Sequence, residues 1–341
     1  MNRFTQLILI LFFLFFFYES GFTSCNEAII ETQFKETKKL CILTGEDIQN
    51  AINYAADAGG GIVYLPAGTY KVENPIYLKP SVSLIGKLNL TKIILQGNFA
   101  FTQKQEDIIS GIYIKDLIFI NGNDRKTKAV FYIVGGLQYS VFENLQFYNF
   151  ENQTIFYIAP DFKGKPPRNV IFNTFRNIIV DTCNKCIVYS ANPYSIVTEN
   201  TWEKVILRNV NSKAIEAINW VDTEKWYNLY AKATNSSVIL IDINSNNLEH
   251  AHGFHFYSPT LVYDLKLKDS SQKPIAIRLG KGTIRNIFIG VATDKNWDRF
   301  LIDDGADSYY ILMDSIEDRS IARKEGKKSF IKIIQKGVIE K

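Results

Sequence analysis

No apolar run in this chain of 341 residues is long enough to cross a membrane: the run from Leu7 to Tyr18 is about a dozen residues, where a span needs about 20. Charge of one sign is missing too. Lys plus Arg number 39 against 35 Asp plus Glu, so the net of +4 leaves no footprint for nucleic acid, although a mildly positive surface suits an anionic glycan. Cysteine is scarce, with Cys25, Cys41, Cys183 and Cys186. The last two form Cys-x-x-Cys, but a zinc site needs a second such pair and a redox site needs a thioredoxin-like βαβ context, and neither is visible. Asn-Gly occurs once, at Asn121-Gly122, which counts against a sandwich of short hairpins.

The apolar run sits behind Arg3 and ends near Gly21 and Ser24, the layout of a signal peptide over residues 1–24 and hence of a secreted or exported protein. Phe22-Thr23-Ser24-Cys25 resembles a lipobox and raises lipoprotein anchoring through Cys25 as an alternative to ordinary cleavage. Export also favours a local disulfide or inert core thiols over reactive ones. About 315 residues remain, enough for one large β domain. We expect a lead-in over 25–43, a coil domain over 44–313 and a basic segment over 314–341. That last segment carries Arg319, Arg323, Lys324, Lys327 and Lys328, with Phe330, Ile331, Ile333 and Ile334 reading as a final strand that caps the coil.

Behind a Thr44 cap and early acids, Ile48, Ala51, Ile52 and Ala55 fall at helical spacing, and Gly59-Gly60-Gly61 stops the helix. A β-rich run, Ile62-Val63-Tyr64-Leu65, follows. Next come the turn Pro66-Ala67-Gly68-Thr69-Tyr70, then Pro75-Ile76-Tyr77-Leu78 and Ser83-Leu84-Ile85-Gly86. This block, Asp47 to Gly86, resembles the opening of the pectate-lyase superfamily domain, of the rhamnogalacturonase/epimerase type. The resemblance implies an all-β chain, a single-stranded right-handed parallel β-helix with a short N-terminal capping helix. It implies a polysaccharide partner and a lyase or glycosidase acting on an extracellular or cell-wall glycan. The alternative is a non-catalytic glycan-binding or adhesive surface protein on the same scaffold.

A spaced repeat points to the same architecture. It runs apolar, spacer, Asn or Asp, aliphatic, spacer, apolar. The copies start at Ile114, Phe142, Phe175, Trp202, Trp226, Val262 and Ile284, at intervals of 22 to 36 residues. The third position (Asp116, Asn144, Asn177, Lys204, Asn228, Asp264, Asn286) is placed at a bend, where left-handed backbone is tolerated.

No intact catalytic signature accompanies the fold. Polygalacturonases of this superfamily carry Asn-Thr-Asp, Asp-Asp, Gly-His-Gly and Arg-Ile-Lys in order. The fragments here, Asp181-Thr182-Cys183, Asp303-Asp304, His252-Gly253 and Ile284-Arg285, break that order, so the mechanism is not carried over. The three histidines all fall in Glu249-His250-Ala251-His252-Gly253-Phe254-His255. We take His250, His252, Arg278 and Lys281 as candidate catalytic residues, since elimination from a uronate wants a base and a cation beside the sugar carboxylate. His255, Tyr257 and Arg285 are candidate substrate-binding residues on the same rungs. Trp220, Trp226 and Trp297 are further candidates for sugar stacking, though aromatics at rung positions are more often core. Calcium is compatible with the superfamily but no motif indicates it, so metal and cofactor stay unassigned. The oligomeric state is unassigned as well, a trimer being compatible with the fold.

Overall fold

The computed structural model describes residues 25–122, 127–235, 237–244, 251–264, 274–280, 283–294, 297–304, 307–313, 321–323 and 330–334. The expected signal segment, His250 and Lys281 lie outside the described residues, and His252 is described by its backbone alone.

The chain opens with an antiparallel hairpin, β1 (Asn26–Thr32) and β2 (Thr37–Ile42), and a disulfide joins Cys25 to Cys41 at its base. Helix α1 (Gly45–Asp57) follows, capped as its sequence predicts. The Asp47 amide donates to the Thr44 hydroxyl, and the Asp47 carboxylate accepts from the Thr44 amide at 2.9 Å. Ile48, Ala51, Ile52 and Ala55 are buried against the first strands. Thr44→Ala, which removes one half of this reciprocal cap, is expected to cost about 1 kcal/mol in urea unfolding. Strand β3 (Gly61–Tyr64) pairs antiparallel with β1, so the hairpin covers an edge that would otherwise be open.

Every later pairing is parallel. The chain winds into a β-solenoid of about 7 turns. Its last described strands, Ile321–Arg323 and Phe330–Ile334, still pair in register with the rung before them. Inside the coil, identical positions on successive rungs stack. Phe142, Phe175, Trp202, Trp226, Phe256 and Phe288 form one column, with ring centroids 4.8, 3.9, 4.7, 5.8 and 4.8 Å apart. Each such contact adds about 0.5–1.5 kcal/mol beyond the area it buries. Cys183 and Cys186 are buried in this interior and joined by a disulfide.

The bends explain the repeat. Asp116, Asn144, Asn177, Lys204 and Asn228 all have φ between 53° and 62°, and the Asn144 amide donates to Asp116 at 2.8 Å while Asn177 donates to Asn144 at 3.1 Å. These short polar side chains hydrogen-bond rung to rung, which offsets the cost of left-handed backbone. The sixth and seventh copies need correction. Register pairs Phe256 with both Trp226 and Phe288, so the bend residues are Ser258 (φ 53°) and Gly290 (φ 68°), not Asp264 and Asn286. Asn286 instead faces inward, where its oxygen accepts the Phe254 amide at 3.2 Å.

A second interior column is polar. Ser140, Asn173, Asn200 and Glu224 succeed one another: the Asn173 oxygen accepts the Ser140 amide, the Asn200 oxygen accepts the Asn173 amide, and Glu224 accepts the Asn200 amide nitrogens. Glu224 is fully buried. Its other oxygen accepts from Tyr189 Oη and Trp202 Nε1, each at 3.1 Å. Burial raises its pKa to about 7 against the pull of those donors.

Candidate functional site

Alternation along a strand sends every second side chain outward. In the segments Ile215-Glu216-Ala217, Ile241-Asp242-Ile243 and Ile277-Arg278-Leu279 the flanking aliphatics are buried, so the charged residue between them is aimed out of the coil. Register then aligns these positions. Tyr132, Tyr157, Val188, Glu216, Asp242 and Arg278 are successive partners across six rungs, a column roughly 24 Å long at ~4.8 Å per rung.

One end of the column is aromatic. Tyr132 stacks on Phe99 at 4.3 Å and on Tyr157 at 5.4 Å, and burial, then Tyr157 and Asp161, push its hydroxyl pKa up. Beside these rings, at the C-terminal ends of the strands, lies an open groove of 420 Å³, within the size range of ligand sites. Tyr132, Tyr157 and Trp220 supply its ring surfaces, and Asp161, Asn192 and Asn219 its polar groups. The Asn192 side chain donates to Asp161 and accepts the Tyr194 amide at 2.9 Å, which fixes that rim.

The other end is ionic. Asp242, with 2% of its side chain exposed, takes a forked bond from Arg278 (2.8 and 2.6 Å) and a contact from Lys213 at 2.6 Å. Glu216 bonds the same Lys213 and also Lys185 at 2.6 Å. Burial alone would lower the Lys213 pKa, but the hydrogen bonds and charges of Asp242 and Glu216 prevail and raise it, so this amine stays protonated. The bond to Asp242, outweighing burial, likewise raises Arg278. One ammonium touches both acids, so the two oxygens it bonds, Glu216 Oε1 and Asp242 Oδ2, lie within roughly 6 Å of each other, two hydrogen-bond lengths.

Among the residues expected from the sequence, Arg278 alone is placed on this column. His255 and Tyr257 lie on another strand line, where Lys225 and His255 are rung partners and Tyr257 stacks on Tyr227 at 5.0 Å, and Arg285 sits at the corner before that line. Burial and Lys225 lower the His255 pKa. The His-rich stretch is not one strand, because Gly253 (φ 78°) bends the chain between His252 and His255. Trp226 is core, Trp297 is nearly so, and Trp220 lines the groove. Lys185, Lys213, Glu216 and Asp242 went unread in the sequence because Lys185, the Lys213–Glu216 pair and Asp242 lie tens of residues apart. The signal was there: a charged residue inside an apolar triplet, recurring once per rung. Among the described residues no group of three or more His, Cys, Asp or Glu could hold a metal ion.

Residues 44–134, which hold α1 and the first rungs, match the family model "Rhamnogalacturonase A/epimerase, pectate lyase-like". The chain is a parallel β-solenoid whose opening rungs match that pectate-lyase-like model. No curated protein matches it. Among solved structures, this chain is similar to the DFA-IIIase of Arthrobacter chlorophenolicus A6 without its lid, at 13% identity and a TM-score of 0.49, covering 86% of this chain and 95% of that one. It is similar over the same shares to PfbA, a surface protein and adhesin of Streptococcus pneumoniae (13%, TM-score 0.46). A third is the A-module of the mannuronan C-5 epimerase AlgE6 of Azotobacter vinelandii (14%, 0.38, again 86% and 95%). An enzyme of one kind, an enzyme of another and an adhesin carry no single activity to this chain.

Proposed function

We propose that this is an exported carbohydrate-active protein that holds an acidic extracellular or cell-wall polysaccharide along the outward column from Tyr132 to Arg278. The observation that carries this reading is the continuity of that column. Rings for the apolar faces of sugars lie at one end beside a groove, and three cations facing two carboxylates lie at the other. The cations of that cluster suit a uronate. Elimination is the chemistry it favours over hydrolysis: the Glu216 carboxylate is placed to take the proton next to the uronate carboxyl and Lys185 to give one to the leaving oxygen, whereas a glycosidase needs one of its two carboxyls protonated.

A second reading, glycan binding without turnover, is favoured by the same mutual neutralisation, which leaves no described acid on the column unpaired. Export rests on the signal-like N-terminus. The disulfide from Cys25 to Cys41 occupies the sulfur that a lipid anchor would use, which favours plain cleavage over anchoring.

Incubation of the mature chain with polygalacturonate, alginate and neutral xylan, following unsaturated-uronate absorbance and reducing ends in parallel, separates the readings. A rise in absorbance is expected; reducing ends without it would overturn elimination, and silence in both with retention on a glycan column would leave binding. Tyr157→Ala and Trp220→Ala are each expected to weaken glycan retention about tenfold, the loss of one stacking contact. Retention unchanged in both variants would remove the groove from consideration.

A further inference from the structure

One corner of the coil carries left-handed residues on successive described rungs: Ser81, Gly111, Tyr139, Phe172, Glu199, Thr223, Gly253 and Arg285. Glycine takes this conformation freely, and Tyr and Phe do so at a cost in strain. Here that strain is accepted for two rings that are 60% and 48% exposed, so core packing does not repay it. The Tyr139 and Phe172 rings stack at 5.3 Å with 16° between their planes, and Phe172 therefore covers one face of Tyr139. On the opposite side, one rung back, stands Gly111. A Cβ added there would meet nothing within 4 Å. The aromatic column stops one rung short, leaving a slot about one ring thick between Tyr139 and the exposed Ser81 two rungs away.

We propose that this slot is a glycan subsite distinct from the groove, taking one pyranose ring as the missing member of the stack. Its C–H face lies on Tyr139 and its hydroxyls turn toward Ser81 and solvent. A one-ring slot offers far less than the ~1,000 Å² that a specific protein interface buries, which excludes a protein partner or a second copy as its main occupant. The inference rests on the carbohydrate reading above, and its test distinguishes the two.

The full mature chain is run through native gels cast with polygalacturonate, alginate or xylan. Tyr139→Ala is expected to weaken retardation about tenfold on the glycan that retards the wild type, while Tyr139→Phe, which keeps the ring, migrates like wild type. Tyr139→Ala retarded as strongly as wild type, with Trp220→Ala weakened, would overturn this subsite and leave the groove standing. Wild type passing all three gels unretarded would overturn the carbohydrate reading and the subsite with it.

Discussion

Trp202→Ala is expected to lower stability by about 3–5 kcal/mol in urea unfolding, among the largest single effects available to this chain. Trp202 is fully buried between Phe175 (3.9 Å) and Trp226 (4.7 Å), and meets Phe156 edge-on at 5.5 Å. Truncation empties a ring-sized space, ends two stacks and removes the indole N–H that Glu224 accepts. In a solenoid each rung is held by its neighbours, so a broken rung also uncouples what lies on either side. Unfolding followed by tyrosine fluorescence and by circular dichroism should lose coincidence in the variant. By contrast Phe172→Ala, at an exposed corner, should stay within about 0.5 kcal/mol of wild type. Equal losses at Trp202 and Phe172 would mean that the interior column does not carry the coil.

The cap and the first rungs were legible because their signals are local: a reciprocal helix cap, a glycine stop, and a turn between two apolar runs. The bends were legible where Asn or Asp fills them, since a side chain that bonds its own rung ladder leaves a recurring letter. Ser258 and Gly290 satisfy the same backbone by being small, and the nearby Asp264 and Asn286 imitated the pattern, which slipped the last two copies by six and four residues. The ionic cluster was hidden for a different reason. Glu216, Asp242 and Arg278 become neighbours through parallel register alone, and the register depends on loop lengths that composition does not reveal. Histidine drew attention by clustering in sequence, yet a bend at Gly253 parts His252 from His255.

Stability should fall as pH rises from 5 to 8, and Glu224 is the cause. Burial lifts this carboxyl to about 7, and in the unfolded chain it returns to about 4.3. Between those values the folded chain binds the extra proton. Its contribution is therefore fully present below the unfolded pKa and is lost as pH climbs through the folded one, a swing on the order of 3 kcal/mol. His255 acts in the opposite sense: its pKa is lowered by burial and by Lys225, so its contribution is lost as pH falls below the ordinary histidine range. A maximum in Tm on the mildly acidic side follows. Glu224→Gln cannot titrate and should flatten the decline toward pH 8; a decline as steep as that of wild type would clear Glu224 of responsibility. The two groups are also joined through the backbone, because the His255 amide donates to the Glu224 carbonyl at 2.8 Å.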